Sequence, residues 1–215
     1  MIKSRLTQPD HCDIAAFLGA RGKHVPEELA EQLNIAVALV MKAARPGLIY
    51  KRLSLPAPEL PFSEKAAESH LRGCNGMVLF AATLGPEVDR LINRYQVNDM
   101  ALAVIIDAAA GAAVENVCDN FQEDIETLLK KEGLFLSDRF SPGYGNLSPE
   151  ANGSICSFLD TYRRIGLGMT EHFMLTPAKS VTAIMGISDR PLPRRGGKCE
   201  TCNKFSTCIY RKESK

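Results

Sequence analysis

Residues 99–131 contain no proline, helix formers dominate them, and Gly111 is their one glycine. At about 1.5 Å per residue, such a stretch makes an unbroken helix of roughly 50 Å. A helix of that length outspans a small domain, so any fold open to this chain is built around it. Gly133 supplies a natural stop just beyond Lys131.

Weaker signals surround that helix. Residues 26–44 carry Leu29, Leu33, Val37, Val40 and Met41 at helical spacing, and Pro46 and Gly47 end the pattern. The sequence GLIYKRLSL at 47–55 alternates as a half-buried strand does, and Pro56, Pro58 and Pro61 close it. A short helix is expected over 63–72, with Ser63 as its N-cap. The run GMVLFAATLG at 76–85 is apolar and bounded by glycines, which predicts a buried strand and a tight turn. Residues 86–95 then read as a helix with Pro86 in its first turn. After the loop-rich stretch 137–154, a helix is expected through Phe158 to Leu167, and 180–188 alternate as a further strand. Helices and strands do not alternate regularly, which argues against a parallel doubly wound sheet and for a mixed α and β (α+β) domain. Three regions follow: an N-terminal helical segment at 1–46, the main domain at 47–189, and a basic cysteine-rich tail at 190–215.

With 215 residues, the chain is long enough to bury a core without staples. Its net charge of +1 gives no general argument for nucleic acid or an acidic membrane as partner. The start, MIKSRLTQPDHCD, lacks the apolar stretch of a secretory signal, and no uncharged run reaches the roughly 18 residues of a membrane span. A cytoplasmic protein is expected, in which the seven cysteines are thiols or metal ligands.

Three constellations carry possible chemistry. RFSPGYG, Arg139 to Gly145, joins a guanidinium suited to carboxylate or phosphate with two glycines that permit close backbone approach. By itself the same loop also reads as a surface turn with Arg139 solvated. On the long helix, Asp107, Gly111, Glu115 and Asp119 recur every four residues amid small neighbours. An acid there suits a ligand's ammonium or hydroxyl, although Asp119 equally suits a solvent edge, and Asp107 among apolar neighbours calls for a partner. In the tail, Cys199, Cys202 and Cys208 have the spacing of thiolate ligands for zinc or an iron–sulfur cluster, with a fourth ligand to come from elsewhere. His11, His24, His70 and His172 form no ligand pair at helical spacing. There is no GxxxxGK[ST], no GxGxxG after a strand and no GxSxG, which leaves out P-loop ATPases, Rossmann-type methyltransferases and serine hydrolases of the nucleophile-elbow type.

Together these residues resemble the activation domain of cobalamin-dependent methionine synthase. RFSPGYG is similar to that family's Arg-x-x-Pro-Gly-Tyr loop, and IGLGMTEHFMLTPAKSVTAIMGIS to its Met/Pro segment before a Ser-Val-Ser/Thr strand. AAVENVCDNF and GMVLFAATLG fit as well, so the resemblance runs from about Gly47 to Ser188 and matches short stand-alone forms of the domain. It implies a C-shaped α/β fold with a twisted antiparallel sheet and a groove for S-adenosylmethionine. By position, Arg139 would hold the ligand's carboxylate, Ser141, Gly143 and Tyr144 would give backbone contacts, and Glu115 would meet its positive end. The implied role is reductive methylation of cob(II)alamin, with cobalamin supplied by a methionine synthase lacking its own activation domain and an electron by a separate donor. The family's strand tyrosine is replaced here by Met185. Two other readings remain at this point: an activator of another corrinoid methyl-transfer protein, or a non-enzymatic metal-bearing module that binds nucleic acid through its basic tail.

Overall fold

A computed structural model describes residues 2–19, 27–57, 67, 70–145 and 147–192. The helix expected over 63–72 lies mostly outside these residues, and Cys199, Cys202 and Cys208 lie wholly outside them.

The long helix is continuous. Helix α1 (His11–Phe17) and α2 (Glu27–Ala43) precede strand β1 (Gly47–Ser54) and strand β2 (Gly76–Thr83). Helix α3 (Pro86–Asn98) leads into α4 (Met100–Lys131), the expected central helix. Asp99 separates the two because its extended backbone cannot continue α3, and its side chain accepts from the Leu102 N–H to cap α4. Then come β3 (Phe135–Leu136), α5 (Ala151–Leu159), α6 (Thr161–Ile165), a small hairpin of β4 (Gly168–Met169) and β5 (Leu175–Thr176), and β6 (Ser180–Ser188).

Four strands form one antiparallel sheet in the order β1-β2-β6-β3. Both faces are covered. Val78, Phe80 and Ala82 of β2, with Ala183, Met185 and Ile187 of β6, join the apolar residues of α2, α3 and α4. Met77, Leu79 and Ala81, with Ile184, face Ile155 and Leu159 of α5. This two-sided burial is why β2 reads as a continuous apolar run rather than an alternating one. Phe121 of α4 lies against Tyr50 and Phe80, ring centroids 5.2 and 4.9 Å apart, and fastens the helix across the sheet.

Some expectations need adjusting. The helix through Phe158 to Leu167 is broken at Asp160, whose left-handed backbone (φ 54°) ends α5 and starts α6 in a new direction. The segment before Gly47 packs into the same core: Ile14, Leu33, Val37 and Val40 are buried there. Its first residues run along α4, where the N–H and hydroxyl of Thr7 donate to Asn116 Oδ1 and Asn120 donates to the Arg5 carbonyl. By length and composition α4 is apolar enough to cross a membrane, but 67% of its most apolar window is buried by the rest of the protein. Most of its apolar face packs against the sheet and the neighbouring helices.

Candidate functional site

The chain from Ser137 to Phe140 extends β3 along the free edge of β6. Ser137 N–H donates to the Gly186 carbonyl (2.8 Å), and Phe140 and Ile184 exchange two bonds of 2.9 Å. Ser137 Oγ accepts from the Gly186 N–H and lies 3.0 Å from Nε2 of buried His70. Side chains alternate along such an edge. Phe140 therefore goes to the α5 side, stacked on His70 with centroids 4.8 Å apart, and Arg139 goes to the α4 side.

There Arg139 meets two acids. Its Nη2 lies 2.8 Å from Glu115 Oε2 and 2.8 Å from Asp119 Oδ1. The Arg139 side chain is only 21% exposed, against 45% for Glu115 and 64% for Asp119. Its other terminal nitrogen, Nη1, is buried with no hydrogen-bond partner among the described residues. A buried donor without a partner costs about 1–3 kcal/mol. Arg139 and Glu115 were expected at opposite ends of a ligand; in the structure they are joined to one another. Asp119, which the sequence suits equally to a solvent edge, is the third member of the cluster. The usable signal was its position one turn beyond Glu115, on the same helical stripe.

Beneath the cluster, Cys118 is fully buried. Its thiol is raised to about 12, chiefly by burial; Arg139 acts to lower it, and Glu115 and Asp119 to raise it. It stays protonated at neutral pH.

The rest of RFSPGYG is a compact turn. Gly143 and Gly145 have φ of 91° and 54°, a backbone region that favours glycine. The Gly143 N–H donates to the Leu147 carbonyl (2.7 Å), and the Tyr144 N–H to the Ser141 carbonyl (3.2 Å). These two amides are engaged inside the loop, while the Tyr144 side chain is 68% exposed. Met185, in place of the tyrosine that the resemblance calls for, is fully buried between the sheet and the helices.

Two turns before Glu115, Asp107 has the partner its surroundings call for: Lys179 Nζ at 2.9 Å. Beside it is a cleft of about 310 Å³ walled by Phe17, Met100, Ala103, Val104 and Ala108, with Gln96 and Asp107 as its polar groups. The Phe17 ring rests on Gly111, where an added Cβ would come within 3.0 Å of it. The glycine in the AAAGAA stretch thus admits an aromatic ring between Asp107 and Glu115. No cluster of three or more His, Cys, Asp or Glu suited to a metal occurs among the described residues.

No protein-family model and no curated protein matches the chain. Among solved structures, it is similar to a crystal structure of the MetH reactivation domain bound to AdoHcy, with a TM-score of 0.59 over 86% of this chain and 76% of that one. The two share a fold. At 17% identity, the likeness resides in the arrangement of sheet and long helix rather than in residue-by-residue correspondence. The mixed α/β architecture, the antiparallel sheet and the central helix are those expected from the sequence.

Proposed function

We propose that this chain binds S-adenosylmethionine and serves as the activation subunit of a cobalamin-dependent methionine synthase that lacks its own activation domain. The observation that carries the reading is the buried, unpartnered Nη1 of Arg139, held beside two carboxylates on a sheet edge. The fold shared with a domain whose crystal structure contains AdoHcy supports it.

The ligand's carboxylate binds Nη1, the terminal nitrogen of Arg139 that the acids leave unused. Its ammonium and sulfonium face Glu115 and Asp119. Tyr144 flanks the loop side of the site, together with the backbone of Ser141 and Gly143. The adenosine end extends along α4 toward the cleft at Phe17 and Asp107, about 12 Å from Glu115 at 1.5 Å per residue. The methyl group leaves sulfur with the S–C bonding pair retained by sulfur, and the partner's cob(II)alamin, after taking one electron from a separate donor, forms the new cobalt–carbon bond. For that step, the sulfonium methyl must lie within about 3–3.5 Å of the acceptor, so the partner's cofactor must come up to this site. The sequence holds no Asp-x-His-x-x-Gly cobalamin-ligand motif, and the chain is a methyltransferase component active only with its partner.

The test combines inactive cob(II)alamin partner, S-adenosylmethionine and a chemical reductant, with and without this protein, followed spectrophotometrically. Faster appearance of methylcobalamin with the protein present is expected. Equal rates in both arms refute the assignment.

A further inference from the structure

Three ionised groups meet at Arg139, one cation and two anions, all through the single nitrogen Nη2. Among the described residues, no second ion pair reaches Glu115 or Asp119. Arg5 is taken by Glu123 and Asp124 on the neighbouring turn, and Lys179 by Asp107. Cys118, buried below, carries no charge at neutral pH. Among the described residues the cluster therefore has a residual charge of about −1.

We propose that Asp119 makes this site charge-selective, so that it retains a cationic sulfonium ligand and releases the net-neutral thioether left after methyl transfer. The inference rests on the assignment of S-adenosylmethionine made above. At neutral pH that ligand bears two positive groups and one negative, a net charge of +1. Loss of its methyl group as a formal cation leaves S-adenosylhomocysteine at zero. The site's surplus carboxylate thus attracts the donor and loses that attraction once transfer is complete. Glu115 is the less exposed acid and balances Arg139, whereas Asp119, 64% exposed, is the surplus one. A carboxylate so exposed contributes little to holding the fold, which leaves it free to act on a ligand. The same exposure limits the effect to about three- to tenfold in affinity. Asp119 acts on binding and release, and takes no part in making or breaking bonds.

Calorimetric titration of the full chain with S-adenosylmethionine, S-adenosylhomocysteine and sinefungin, an amine analogue of the same net charge, tests this. Asp119→Asn is expected to weaken the two cationic ligands by about three- to tenfold and to leave S-adenosylhomocysteine within about twofold. Glu132→Gln removes the same charge at the Arg52 pair and should change none of the three. The wild-type preference should also shrink as salt is raised. Equal losses for charged and neutral ligands in Asp119→Asn would mean that Asp119 merely positions Arg139, and would overturn the proposal while leaving the binding assignment intact. Failure of the wild-type chain to bind any of the three overturns both.

Discussion

Replacing Arg139 with methionine separates the cost to the fold from the cost to the ligand. Methionine keeps an unbranched apolar stem of similar reach, so the packing of a side chain that is only 21% exposed is largely preserved. What disappears from the fold is a pair of ion contacts to carboxylates that are 45% and 64% exposed. Contacts of that kind are worth about 0.2–1 kcal/mol each. The substitution also removes the buried, unpartnered Nη1, whose desolvation costs about 1–3 kcal/mol in the free protein. The two effects offset, and the unfolding free energy should move by no more than about 1 kcal/mol in either direction. Binding has no such compensation. A ligand carboxylate deprived of a desolvated guanidinium loses about 2–5 kcal/mol, a weakening of roughly 30-fold or more. Arg139→Lys should fall between, because one ammonium cannot serve two acids and a carboxylate in separate directions as a planar fork can. Thermal unfolding and calorimetric titration with S-adenosylmethionine, run on the same preparations, decide the matter. Affinity for Arg139→Met within about threefold of wild type would mean that Arg139 does not hold the ligand's carboxylate, whatever the unfolding curve shows.

Three further outcomes are expected. In the native protein, alkylation mapped by mass spectrometry should modify exposed Cys12 well before Cys118, which is 0% exposed. Because the Cys118 thiol is raised from 9.0 to about 12, its contribution to stability is complete below about pH 9 and declines above it, as the unfolded chain ionises first. The decline is about 1.4 kcal/mol per pH unit up to about pH 12, and Cys118→Ala should flatten that slope in denaturant midpoints measured between about pH 8 and 10.5; parallel curves for the two proteins would contradict the assigned shift. For the tail, anaerobically purified protein should contain a metal that the Cys199→Ser, Cys202→Ser, Cys208→Ser triple variant lacks, and less than about a tenth of an atom per chain would dismiss a metal site there.

The course of the chain was largely legible because local rules govern it. Freedom from proline and a capping Asp99 define α4, and glycines bracket the buried run of β2. Helix spacing likewise marked Leu33, Val37 and Val40 of α2 as core. The break at Asp160 was not legible, since a left-handed residue other than glycine leaves little local signal in the sequence. Nor was the lacing of Arg5 and Thr7 to Asn116 and Asn120, which joins residues more than a hundred positions apart. The candidate site divides along the same line. Arg139, Glu115 and Asp119 stand out one at a time, by residue type and by the four-residue period of the helix. Their joint state is another matter. It depends on the antiparallel register of the β3 edge against β6, which turns Phe140 to one face and Arg139 to the other. A shift of one residue in that register would reverse the two side chains. Residue types and the helical period set which charges are available and place the two acids on α4. Their convergence on one nitrogen of Arg139, with the other buried and unpaired among the described residues, arises in three dimensions, because strand register and helix packing are set by contacts between distant parts of the chain.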